Sequence, residues 1–80
     1  MTSQAEYVQL QLDTIGSNFR ILRHNAKKTL KQVAKDMKIS ESYLSKIELG
    51  KIENLTLLQV FFLCKYYKYS HRQIFTPISS

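Results

Sequence analysis

The chain has 80 residues and a mass of 9.4 kDa, with 12 Lys and Arg against 6 Asp and Glu, a formal net charge of +6 and a sequence pI of about 9.6. That length allows one domain, burying roughly 60–65% of its unfolded surface, and leaves no room for a two-lobed enzyme with a deep cleft. A single cysteine, Cys64, excludes an intrachain disulfide framework and a Cys-only zinc site, while 44% hydrophobic residues suffice for a globular core.

From the N-terminus, Met1–Leu12 has no basic n-region and no continuous apolar h-region, so no signal peptide is expected. Val8, Leu10 and Leu12 alternate with Gln9 and Gln11, which suits a strand, yet Val8, Leu12, Ile15 and Phe19 also form a helical stripe. Ser3 and Glu6 have capping-box spacing. We read an extended first helix, with a strand arm pairing with a second subunit as the alternative. Ile15, Phe19, Leu22 and Ala26 continue that helix. Thr29 is positioned to cap a second, with Leu30, Val33, Ala34 and Met37 inward. Lys38-Ile39-Ser40 is a short break, and Ser40 caps a third helix over Glu41–Glu48 with Leu44 and Ile47 on one face. Gly50 ends it, because glycine tolerates the left-handed conformation after a helix. Thr56 caps a fourth helix running to about Tyr67, presenting Leu57, Leu58, Phe61 and Phe62, with Cys64 on its inner side. Ser70 caps a last short helix through Ile74 and Phe75, which Pro77 stops. The longest apolar cluster, Leu55 to Cys64, is broken by Thr56 and Gln59 and falls far short of the roughly 20 residues that span a bilayer. The expectation is a soluble cytoplasmic protein with no membrane partner.

Charge is concentrated in the middle. Between Arg20 and Lys51 lie nine basic residues and three acidic ones (Asp36, Glu41, Glu48), while the flanks cancel. Such a distribution suits a polyanion, most often nucleic acid. The segment Thr29–Glu48 is also two short helices joined by a three-residue break, which is helix-turn-helix geometry. Ala34 is small where two helices must approach, and Ile39 plugs the turn. The outer face of the third helix carries Glu41, Ser42 and Lys46, with Tyr43 and Ser45 at its margins. These short or flexible polar side chains suit a helix whose N-terminal half meets base edges in a major groove.

Here the sequence resembles the lambda-repressor/Cro-like, or XRE, family of helix-turn-helix proteins. The strings that carry the likeness are Ile15–Arg23 (IGSNFRILR), Thr29–Ala34 (TLKQVA), Ile39–Glu48 (ISESYLSKIE) and Gly50-Lys51. Together they keep family order and spacing over Ile15–Phe75. The resemblance implies an all-α, compact five-helix domain that binds double-stranded operator DNA, usually as a two-fold dimer on a palindromic site, in a bacterial or phage-type nucleoid setting. Residues 14–76 would form that domain, after an extension over 1–13 and before a tail over 77–80. By the same likeness, Arg23 and Glu48 form an inter-helix structural ion pair. Glu41 and Ser42 are the main base readers, joined by Lys46, which can address guanine O6 and N7, while Glu41 can accept from cytosine N4. Ser40, Tyr43 and Ser45 face phosphates, and Thr29 offers its backbone N–H to a phosphate at the start of the second helix. Lys31 and Lys51 add charge beside it.

Four positions depart from the family pattern. Leu30 stands where a phosphate-clamping glutamine is common. Lys38 occupies the turn position usually held by glycine, and so must accept an unusual backbone angle or a remodelled turn. Lys28 replaces an apolar residue, and Glu53 lies near the expected phosphate path.

Other residues fit plainer roles. Cys64 reads as a small core residue, and His24 and His71 lack partners at metal-binding spacing. Tyr66, Tyr67 and Tyr69 read as packing or dimer residues rather than stacking platforms for bases. No catalytic constellation, phosphate loop or cofactor motif is visible. The function expected is a sequence-specific transcriptional regulator, a repressor or autoregulator. Val8, Leu10, Leu12, Tyr69, Ile74 and Phe75 are the candidate dimer surfaces. The alternatives are an antitoxin-type module that binds a partner protein through its N-terminal arm, and an RNA-binding adaptor using the tyrosines.

Overall fold

The computed structural model describes residues 3–78 and contains four helices in the order α1 (Gln4–Asn25), α2 (Leu30–Met37), α3 (Glu41–Glu48) and α4 (Leu57–Tyr67). Each begins at a hydroxyl residue that accepts a hydrogen bond from the backbone N–H three positions on: Ser3 from Glu6, Thr29 from Gln32, Ser40 from Tyr43 and Thr56 from Gln59. Each such cap satisfies a backbone donor that the helix leaves orphaned, worth about 1 kcal/mol.

The helix ends also share one device. After α1, α2, α3 and α4 the chain turns left-handed at Lys27, Lys38, Gly50 and Lys68, with φ between 57° and 71°. At each, two backbone N–H groups reach back: Lys27 and Lys28 to His24 and Arg23, Lys38 and Ile39 to Lys35 and Ala34, Gly50 and Lys51 to Ile47 and Lys46, and Lys68 and Tyr69 to Lys65 and Cys64. This is the Schellman pattern. Three of its four left-handed positions are lysine, so the scarcity of glycine does not mean a scarcity of turns. Lys38 takes the left-handed angle at φ 59° and ψ 41° rather than remodelling the turn.

The core is built from all four helices and the C-terminal segment: Ile15 and Phe19 of α1, Val33 and Ala34 of α2, Leu44 and Ile47 of α3, Val60, Leu63 and Cys64 of α4, and Ile74. The tightest contact is α1 on α3. A Cβ on Gly16 would lie 2.3 Å from the Ile47 carbonyl oxygen and 2.7 Å from that of Glu48, so the two backbones meet where only glycine fits.

Two expectations are corrected here. The fifth helix does not form; residues 71–75 are turns and Thr76 is a bend. The chain end there is held by Asn18, a buried residue on α1. Its Nδ2 donates to Ile74 O at 2.7 Å and Thr76 O at 3.0 Å, and its Oδ1 accepts from Ile78 N at 3.0 Å. Pro77 has no N–H to extend a helix. The second correction concerns α4. Val60, Leu63 and Cys64 are buried, whereas Leu57, Leu58, Phe61 and Phe62 are exposed. A helix apolar all round carries no phase from which to choose its inner side.

The N-terminus is helical from Gln4, not a strand. At about 1.5 Å per residue α1 is about 33 Å long, most of the molecule's longest dimension of 40 Å. Its first buried residue is Leu12, so its first two turns overhang the body, tethered by Gln9 Nε2 donating to Gly50 O at 2.8 Å. Burial of Leu12 and Ile74 removes both from the candidate dimer surfaces; Val8, Leu10 and Phe75 are exposed.

Candidate nucleic-acid interface

The α3 helix is fixed from behind. Leu44 and Ile47 enter the core, and Glu48 meets Arg23 of α1 in a two-pronged pair, Nε to Oε2 at 2.8 Å and Nη2 to Oε1 at 3.0 Å. Both side chains are nearly buried, at 11% and 5% exposure. The remaining Arg23 nitrogen, Nη1, donates to Lys28 O at 3.0 Å, tying the α1–α2 connection to the same point. The hydrogen bond to Glu48 raises the Arg23 pKa, against the opposing effect of burial. The pair joins α1 to the end of α3 and leaves neither group for a ligand.

With the inner side settled, helical periodicity places Glu41, Ser42, Ser45 and Lys46 on one outward face. Glu41, Ser42 and Lys46 are exposed, and Ser45 is half-buried. Tyr43 is half-buried and packs against the core, at the margin of this face. Ser40 is occupied as the α3 cap, accepting from Tyr43 N at 3.0 Å, though its hydroxyl proton is still available to donate.

At the start of α2, Thr29 differs from the sequence reading. Its N–H donates to Gln32 Oε1 at 2.8 Å and its Oγ1 accepts from Gln32 N, a closed capping box. The Thr29 N–H is therefore not free for a phosphate. The N–H groups of the helix's first residues, Leu30 and Lys31, lack intrahelical acceptors. Lys31 and Lys51 are exposed.

Two residues near this face escaped the sequence reading. Arg20 lines a cleft of about 230 Å³ with Arg23, Leu30, Ser45, Glu48 and Leu49, between α1 and the helix pair. Leu49 is 54% exposed at the end of the α3 outward stripe. A helical wheel drawn from Glu41 onward finds Leu49. Arg20 needed the tertiary arrangement.

Tyr66 and Tyr67 pack the fold. Tyr66 donates to Asp36 Oδ2 of α2 at 2.5 Å, and the Lys28 ammonium lies 5.6 Å from its ring centre and 3.8 Å from the same carboxylate oxygen. Lys28, apolar in the family pattern, thus joins a cluster pinning α4 to α2. Burial and the bond to Asp36 push the Tyr66 hydroxyl pKa up, with Lys28 opposing. Tyr67 stacks edge-on against Tyr66 and lies near Phe19, with a buried hydroxyl that has no partner among the described residues. Burial first, then the nearby Glu48 charge, pushes its pKa well up. Burial does the same to the Cys64 thiol in the core.

Among the described residues no group of three or more His, Cys, Asp or Glu side chains is placed to hold a metal, and no helix is long and apolar enough to cross a membrane. A family model described as a helix-turn-helix domain matches residues 16–77, nearly the whole folded body. No curated protein and no solved structure matches.

Proposed function

The chain belongs to the helix-turn-helix domain family of XRE/Cro-like DNA-binding proteins, and from that premise we propose that it is a sequence-specific regulator of transcription, a repressor or autoregulator. In this reading α3 lies in the major groove, with Glu41, Ser42 and Lys46 at base edges. Lys31 and Lys51, the backbone N–H groups of Leu30 and Lys31, and Arg20 contact phosphates, with Ser40, Tyr43 and Ser45 at the margin. Two copies address the halves of an inverted repeat about one DNA turn apart.

The observation that supports this most is the contrast across α3. Its inner side is locked by Gly16 and the Arg23–Glu48 pair, and its outer side is polar and exposed, with the side chains of Glu41, Ser42 and Lys46 making no hydrogen bond among the described residues. A rigid helix with an unused polar face suits the reading of base edges, where phosphates fix register and side chains specify sequence. A charge of +6 supplies the salt-dependent part of the affinity.

Selection from a randomised duplex library at physiological salt tests the proposal. Enrichment of an inverted repeat is the expected result. Binding without enrichment reduces the function to electrostatics, and no binding removes the DNA reading.

A further inference from the structure

Two surfaces of this small molecule remain apolar and uncovered. One is the outward face of α4, where Leu57, Leu58, Phe61 and Phe62 are between 38% and 60% exposed. Periodicity puts them on a single stripe that Lys65 continues. The other is the overhang of α1, where Tyr7, Val8 and Leu10 are 47% to 59% exposed. Neither surface lies on α3 or at the start of α2, so the proposed groove reading uses neither.

Their charges are opposite. The overhang, residues 4–11, carries Glu6 and no Lys or Arg, whereas Leu57–Phe75 carries Lys65, Lys68 and Arg72 and no Asp or Glu. Packing α4 on a second α4 would bring the two Lys65 ammonium groups to one seam. Packing the overhang of one copy on the α4 of another brings Glu6 to them instead.

Area points the same way. An aromatic side chain offers about 150–250 Å², so the exposed α4 stripe with Phe75 presents about 500 Å² and the Tyr7–Leu10 side of the overhang about 200 Å². Covering both reaches about 700 Å² per copy, close to the share of a standard stable interface, whereas an α4–α4 contact stops at about 500 Å².

We propose that the chain dimerises by reciprocal docking, the α1 overhang of each copy lying on the α4 stripe of the other. The interface is isologous, with overhang to stripe on both sides of a two-fold axis. The inference deepens the dimeric reading given above and rests on it only for the biological use of the dimer.

Sedimentation equilibrium on the full chain tests it. The wild type should show twice the 9.4 kDa chain mass at tens of micromolar. Phe62→Asp and Leu10→Asp should each weaken the dimer by at least about tenfold, with unchanged circular dichroism because both positions are exposed. Glu6→Lys and Lys65→Glu should each weaken it, and the double variant should recover most of the loss, a coupling that a merely apolar contact does not produce. A monomeric wild type overturns the proposal, and so does a dimer broken by Phe62→Asp but indifferent to Leu10→Asp, which is α4 packed on α4. Affinity for a random-sequence duplex at low salt separates the two ideas. A dimer that behaves as described yet binds no DNA leaves this interface standing and removes the groove reading.

Discussion

Both α3 and α4 pack an inner side against α1, yet their outer sides are opposites. On α3 the outward residues are Glu41, Ser42, Ser45 and Lys46; on α4 they are Leu57, Leu58, Phe61 and Phe62. A polar face held rigidly from behind suits a wet, directional partner such as a DNA groove, and a broad apolar face suits a dry protein contact. The difference also explains which helix was readable. The sequence of α3 alternates apolar and polar at helical period, so its inner side follows from spacing. That of α4 is apolar at nearly every position, and spacing alone does not fix its inner side.

The largest effect should come from removing the close approach that holds α3. Gly16→Ala places a methyl group against the carbonyls of Ile47 and Glu48. Because backbone cannot move aside as a side chain can, we expect a loss of about 3 kcal/mol or more, read as a fall in Tm of more than about 10 °C for a domain this size. Glu48→Ala comes next. It leaves the Arg23 guanidinium nearly buried without its carboxylate, at a cost of about 3 kcal/mol, and chemical denaturation should report it. The matching change on the outer side of α3, Ser42→Ala, should stay within about 0.5 kcal/mol. Equal losses at Glu48 and Ser42 would erase the distinction between the two sides.

Gly16 shows how far the sequence could be read. A glycine inside a helical pattern signals a packing or functional reason, but it does not say which helix approaches. Most of the fold was legible because local rules decide it. Hydroxyl residues mark the starts of the helices, Gly50 marks one end, and Thr29–Glu48 has motif spacing. The irregular C-terminal segment was not legible, because it is held by Asn18 from 56 and 58 positions away. Nor was the occupied Thr29 N–H, where Gln32 closes the capping box that the sequence reading had left open for a phosphate. Arg20 joins the face beside α3 only through the α1–α3 contact.

Smaller changes probe the frame on which both helices rest. Lys38→Gly relieves a left-handed lysine in the turn that leads into α3 and should raise stability by about 1 kcal/mol. Unchanged stability would mean that the turn carries no strain at Lys38. On α4, Tyr67→Phe deletes a buried hydroxyl that has no partner among the described residues. The folded state raises the pKa of that hydroxyl, so it holds its proton more tightly than the unfolded chain does. Its contribution is therefore fully present below about pH 10 and is lost as pH rises toward the folded value. The variant should be at least as stable as the wild type near neutrality and show a shallower loss of stability above about pH 10, measured by denaturant melts across that range.

The central claim is that the outward face of α3 reads bases while the lysines around it only hold the backbone. Repeating the library selection with Lys46→Ala and Lys31→Ala tests this directly. Lys46→Ala should change the preferred sequence, or cost about 1–3 kcal/mol on the wild-type site, whereas Lys31→Ala should weaken all sequences alike and flatten the salt dependence. A Lys46→Ala protein that selects the wild-type sequence with wild-type affinity would contradict the account.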